Sequence, residues 1–122
     1  MAAGKSILIL DDSEVVLEVA RRYLTDAGYG VLTATNISEF DQIQKESNPD
    51  LILLDVQMPE LNGDDIGNVL RNVRGIKVPI ILFSTLEESE LSRRAADAEL
   101  DGWVSKNQGL DALVETVGKF LT

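Results

Sequence analysis

The chain contains no cysteine and no histidine. That double absence removes the thiolate nucleophile, the disulfide framework, histidine-based triads and the usual zinc sites together. Whatever chemistry occurs must rely on carboxylate, hydroxyl, ammonium and backbone groups. Long hydrophobic runs are also missing: the longest apolar stretches are four or five residues, against the roughly 20 needed to span a bilayer. No basic-then-apolar leader precedes the first strand, so the expected location is cytoplasmic. Positive charge is scarce, with 11 Lys and Arg against 21 Asp and Glu and a net charge of −10, which disfavours direct contact with nucleic acid or an anionic membrane. The acids are scattered rather than gathered in a tail.

What is present is a regular alternation. At 122 residues the chain is long enough for one domain with its own core, and residues 1–122 read as a single unit without linker, repeat or low-complexity tract. Strands are expected at Ile7–Leu10, Tyr29–Thr35, Leu51–Leu54, Val78–Phe83 and Asp101–Ser105. Leu51-Ile-Leu-Leu54, four aliphatic residues in a row, suits a strand buried on both faces and ends at Asp55.

Helices are expected between the strands. Ser13 or Asp12 caps the first, whose apolar stripe is Val16, Ala20, Tyr23, Leu24 and Ala27, ended by Gly28. Asn36 to Glu39 resembles a capping box opening a second helix to about Ser47, with Phe40 and Ile43 inward. Glu60 to Gly63 reads as a turn in which Gly63 takes a conformation other residues resist, and the third helix, about Asp64 to Asn72, turns Ile66, Val69, Leu70 and Val73 inward. Thr85 to Glu88 is a second capping-box candidate before a helix with the thin stripe Leu91, Ala95 and Ala98. The last helix runs from about Leu110 to Leu121, with Leu113, Val114, Val117, Phe120 and Leu121 facing the core. Five strands alternating with five helices predict a doubly wound α/β fold with a parallel sheet in the order 2-1-3-4-5, the flavodoxin-like arrangement.

The C-terminal strand ends then collect Asp11 and Asp12, Asp55, Ser84 and Thr85, and Lys106 in one crevice. Carboxylate pairs at roughly 4 Å repel by about 4 kcal/mol at an effective dielectric of about 20. A hard divalent cation relieves that repulsion, and Asp12, Asp55 and a backbone carbonyl suit Mg²⁺. Three carboxylates, Mg²⁺ and the Lys106 ammonium sum to zero. In such a pocket a carboxylate can attack phosphorus, and Asp55, at the middle of the sheet edge, is best placed to do so.

Four short motifs in order, Ile7-Leu-Ile-Leu-Asp11-Asp12-Ser13, Leu51 to Pro59 with Asn62-Gly63, Pro79-Ile-Ile-Leu-Phe-Ser84 and Gly102-Trp-Val-Ser-Lys106, make the chain resemble a response-regulator receiver domain over its full length. The resemblance implies that Asp55 is the phosphoacceptor of a two-component phosphorelay and that Asp11, Asp12 and Asp55 bind Mg²⁺ together with the Gln57 backbone carbonyl. It further implies that Ser84 is the switch hydroxyl, Trp103 the switch aromatic and Lys106 the phosphate-contacting lysine. The implied partners are a histidine kinase or histidine phosphotransfer protein and a downstream effector protein, met through the helix 4, strand 5 and helix 5 face. A homodimer through the fourth helix is compatible with the same fold.

Two departures from the family pattern stand out. Asn107 follows Lys106 where the family usually has a cis-bonded proline; a cis bond before another residue costs about 2.5–4 kcal/mol, so this loop is expected to be trans or rearranged. Leu86, two residues past Ser84, replaces a residue often polar in the family, which points to slow dephosphorylation.

Plainer readings exist for each residue alone. Asp11-Asp12 and Ser84 or Thr85 serve as helix caps, Asp55 as a strand-end acid, Trp103 as packing, and Arg93 and Arg94 as solvated charges. Two rival functions follow. A receiver-like docking module that no longer takes phosphate is favoured by Asn107. An aspartate-nucleophile phosphatase would want a second acid at Gln57.

Overall fold

In the computed structural model, which describes residues 4–58 and 62–121, strands and helices alternate as expected. The strands are β1 (Ser6–Leu10), β2 (Gly30–Ala34), β3 (Leu51–Leu54), β4 (Ile80–Ser84) and β5 (Gly102–Ser105). The helices are α1 (Glu14–Asp26), α2 (Ile37–Ser47), α3 (Gly63–Asn72), α4 (Glu88–Asp97) and α5 (Leu110–Phe120), with one 3-10 turn at Lys106–Gln108. All four strand pairings are parallel and the order is β2-β1-β3-β4-β5.

Alternation along the strands explains the two cores. Leu8, Leu10, Ile52, Leu54, Ile80 and Leu82 face one way, into a cluster with Phe40, Ile66, Leu70, Leu91 and Ala95 from α2, α3 and α4. Ile7, Ile9, Leu51, Leu53, Ile81 and Phe83 face the other way, against Leu17, Ala20 and Leu24 of α1 and Leu113 and Val117 of α5. A strand covered on both sides has no polar face to show, and β1, β3 and β4 are almost uninterrupted aliphatic sequence for that reason.

Several helix faces differ from the periodicity reading. On α1 the buried residues are Leu17, Ala20 and Leu24, while Tyr23 is 44% exposed. On α3 Ile66 and Leu70 are buried, whereas Val69 and Val73 lie at the rim, Val73 being 77% exposed. Phe120 is exposed at the end of α5, although one edge of its ring lies 3.3 Å from the position a Cβ would take on Gly102. A sheet of short strands covers only a narrow arc of each helix, so residues one position off the arc reach solvent.

The caps also sort themselves. The Ser13 hydroxyl accepts from the Val16 amide, and the Asn36 side chain accepts from the Glu39 amide. The Glu39 carboxylate, however, reaches back to Thr35 rather than to Asn36, so the box is only half formed. The capping box expected at Thr85 to Glu88 is absent: α4 starts after Glu87, which makes no side-chain cap, because Thr85 is engaged elsewhere. Gly63 is the first residue of α3 and not the special position of a turn. Pro59 and the rest of the expected turn up to Leu61 lie outside the described residues. Arg94 is not simply solvated; it is half-buried and pairs with Glu90 on its own helix and Asp64 on α3.

Candidate functional site

Two acids are carried on continuations of the sheet. The Asp11 amide donates to the Ala34 carbonyl of β2 at 3.1 Å, and the Asp55 amide donates to the Leu10 carbonyl of β1 at 2.9 Å. Each carboxylate is thus held one residue beyond its strand by a ladder bond. Both residues are buried, at 1% and 5% exposure, while Asp12 is exposed beside them. Carboxylate oxygens of Asp11, Asp12 and Asp55 lie within 4.8 Å of one another.

Lys106 reaches this cluster from the far side of the sheet. Its Nζ lies 2.6 Å from Asp11 Oδ2 and 3.7 Å from Asp55 Oδ2, and 5.4 Å from the centroid of the Phe83 ring, within cation–π range. The other Asp11 oxygen, Oδ1, accepts from the Ser13 amide at 2.9 Å. Asp55 Oδ1 accepts from the Gln57 amide at 3.2 Å. Asp55 is therefore the less well compensated acid, and its pKa is pushed up from 3.8 to about 6, by burial first and by the Asp11 charge second, with Lys106 pulling the other way.

The donor set is all oxygen, as a hard cation requires. Octahedral Mg²⁺ holds oxygens at about 2.1 Å, so opposite ligands sit about 4.2 Å apart, a spacing the three carboxylates approach. Both Asp11 oxygens are already engaged, so a metal there would compete with Lys106 for Oδ2.

The remaining predicted residues are distributed unevenly. Ser84 is fully buried at the end of β4, and its Oγ accepts from the Leu86 amide at 3.4 Å. Thr85 turns across the crevice and donates from Oγ1 to Gln57 Oε1 at 2.9 Å. Trp103 sits on β5 beside Leu82, half-buried against the cluster that covers α4, and is not among the groups gathered around Asp55.

No cis peptide bond occurs among the described residues, so Lys106–Asn107 is trans. Lys106 nevertheless reaches the acids because the loop closes into a 3-10 turn. Ser105 caps that turn by accepting from the Asn107 amide, and the Gln108 side chain accepts from the Ser105 amide. The Asn107 side-chain amide donates to the Thr85 carbonyl at 3.2 Å. Gly109, at φ +93°, then turns the chain into α5. Sequence reading missed Ser105 and Gln108, although Ser-x-x-Gln is a capping-box spacing in plain view.

The family model for the response regulator receiver domain matches residues 7–118. Among curated relatives, the transcriptional regulatory protein KdpE of Mycobacterium tuberculosis is 34% identical over 106 residues, covering 86% of this chain. The chain spans only 46% of that relative's length. The polar-differentiation response regulator DivK of Brucella anthropi is 25% identical over 118 residues, 96% of each chain. Among solved structures, the chemotaxis protein CheY4 of Vibrio cholerae superposes with a TM-score of 0.87 at 28% identity, covering 98% of this chain and 100% of that one. With its parallel sheet in the 2-1-3-4-5 order and a family match running from β1 into α5, the chain belongs to the response regulator receiver domain family of two-component systems.

Proposed function

We propose that this chain is a phosphorylation-controlled signalling switch in which Asp55 accepts a phosphoryl group from a phosphohistidine of a kinase or phosphotransfer protein. The observation that carries the reading is the position of Asp55: buried at the end of the central strand, with an ammonium 3.7 Å away and two further acids beside it. A carboxylate oxygen of Asp55 attacks phosphorus, the histidine N–P bond breaks, and the imidazole nitrogen leaves with the electron pair and takes a proton from solvent. The donor must bring its own histidine, since this chain has none.

Asp11, Asp12, Asp55 and the Gln57 carbonyl would hold Mg²⁺, which supplies charge neutralisation for the transferring oxygens. Lys106, released from Asp11 Oδ2, would pair with the new phosphoryl group at Asp55. Ser84 Oγ, now bonded only to a backbone amide, would turn toward it and draw the β4–α4 loop along. Trp103 and the α4, β5 and α5 face would then present the change to an effector protein, with residues 1–122 acting as one receiver unit. In this reading the chain is a phosphoacceptor and not a turnover enzyme, and it acts in the cytoplasm; among the described residues no helix is long and apolar enough to cross a membrane. A shift from 1:99 to 99:1 between two states needs about 5.5 kcal/mol of differential stabilisation, within reach of a metal and two charge-assisted contacts.

The second reading, a docking module that ignores phosphate, draws on Asn107 in place of proline. Lys106 still lies between Asp11 and Asp55 on a trans backbone, which supports the first reading. Acetyl phosphate or beryllofluoride with Mg²⁺ tests the choice: uptake by the wild type that is lost in Asp55→Asn is expected, and no uptake, or uptake unchanged in that variant, refutes it.

A further inference from the structure

Three loops at the C-terminal edge of the sheet are tied to one another through a single residue, Thr85. From one side, its hydroxyl donates to the Gln57 side chain on the loop after β3. From the other, its carbonyl accepts from the Asn107 side chain on the turn after β5. Asn107 is itself held, because its backbone amide donates to Ser105 Oγ inside the capping box. Thr85 directly follows Ser84, whose hydroxyl points to the Leu86 amide and not to Asp55. The strap therefore fixes the one loop that must move if Ser84 is to reach a group on Asp55.

We infer that Asn107 is a positioning residue that latches the β4–α4 loop in its resting place and so sets the threshold for switching. The inference rests on the reading of Asp55 as phosphoacceptor. A proline at this position has no side-chain donor to offer the Thr85 carbonyl. An asparagine does, at the cost of one exposed hydrogen bond that must break on activation. One solvent-accessible bond is a modest bias, so its removal is expected to tighten binding of a phosphoryl analogue roughly two- to fivefold.

The test compares wild type, Asn107→Ala and Asn107→Asp, the last retaining size but losing the donor. Beryllofluoride with Mg²⁺ is titrated against Trp103 fluorescence, and amide hydrogen exchange at Thr85, Leu86 and Glu87 is measured without the analogue. Both variants are expected to bind beryllofluoride two- to fivefold more tightly and to exchange faster at those amides, with Asp55→Asn showing no uptake. Wild-type uptake with unchanged or weaker affinity in both variants overturns the latch alone. Absence of wild-type uptake overturns the phosphoacceptor reading instead, and the latch is then judged by exchange: no acceleration in Asn107→Ala overturns it as well. General destabilisation speeds exchange at core amides such as Leu53 as well and does not tighten beryllofluoride binding, so the latch is read from acceleration confined to the β4–α4 loop together with the tighter binding.

Discussion

Asp55→Asn is expected to stabilise the metal-free protein, and by an amount that depends on pH in a defined way. Asp55 ionises near 3.8 when solvated and at about 6 in the fold, with burial the leading cause. The folded state therefore holds more protons than the unfolded state between these values, and stability falls as pH rises through that window. The penalty is below about 1 kcal/mol at pH 4 and levels off at about 3 kcal/mol above pH 7. Asparagine has the same shape and does not titrate, so the variant escapes this loss. The attraction of Lys106 at 3.7 Å is already contained in the raised value of about 6, and in the variant Lys106 keeps Asp11 at 2.6 Å. A net gain of about 1–3 kcal/mol at pH 7.5 is expected, or about 4 °C in Tm for each kcal/mol in a chain of this size. Urea unfolding of both proteins in EDTA, from pH 4 to pH 7.5, reads the difference directly. It is expected to grow by about 2 kcal/mol across that range. If these acids hold Mg²⁺ as proposed, the ion at about 100 times its Kd adds about 2.7 kcal/mol to the wild type and less to the variant, which has lost one carboxylate ligand, and so narrows the gap. A difference that stays flat with pH, or a variant less stable at pH 7.5, would refute the assignment of an uncompensated charge to Asp55.

Three further substitutions probe other parts of the fold. Lys106→Ala leaves the buried Asp11 carboxylate without its ammonium and is expected to cost about 3 kcal/mol in EDTA, with part of the loss recovered by Mg²⁺ in the same denaturation assay. Asp101→Ala removes the acceptor of the Ile80 amide and the partner of Arg71, so a cost of about 1–3 kcal/mol is expected, with faster hydrogen exchange at the Ile80 amide. Leu53→Ala, in the middle of β3 with no exposed surface, is expected to cost about 2–5 kcal/mol, read as a lower urea midpoint without a change in slope.

The sheet was legible in the sequence because its signal is redundant. Each of β1, β3 and β4 carries a run of apolar residues closed by a polar residue at the C-terminal edge, short enough to favour a buried strand over a helix. Strand order followed from topology alone. The helix faces were less legible. The apolar stripe read for α1 runs through Val16, Ala20, Tyr23 and Leu24; Ala20 and Leu24 are buried and Val16 packs on the core, but the sheet also takes Leu17, which the stripe leaves out, and Tyr23 stays exposed. On α3, Val69 and Val73 are as apolar as their buried neighbours and differ only in angle about the helix axis. Periodicity defines that angle loosely, whereas the width of a five-stranded sheet defines it tightly.

At the crevice the same division holds between what strands carry and what loops decide. Asp11, Asp55 and Ser84 arrive at strand ends, where a ladder bond or burial holds the backbone, and topology alone brings them together. Lys106 is aimed in part by the local Ser105–Gln108 box, whereas the ties of Thr85 and Asn107 depend on contacts between loops more than 20 residues apart, which no local pattern encodes. Lys106 could have paired with either acid; it lies 1.1 Å nearer to Asp11, at 2.6 Å against 3.7 Å. That choice leaves the buried Asp55 with the more distant ammonium, and its carboxyl is pushed up to about 6 by burial and by the Asp11 charge. A positive charge brought to this edge gains most by lying against Asp55, or by taking an oxygen of Asp11 and freeing Lys106 to do so. Either move lowers the pKa of the same carboxylate, so the arrangement concentrates its electrostatic response on the residue at the centre of the sheet.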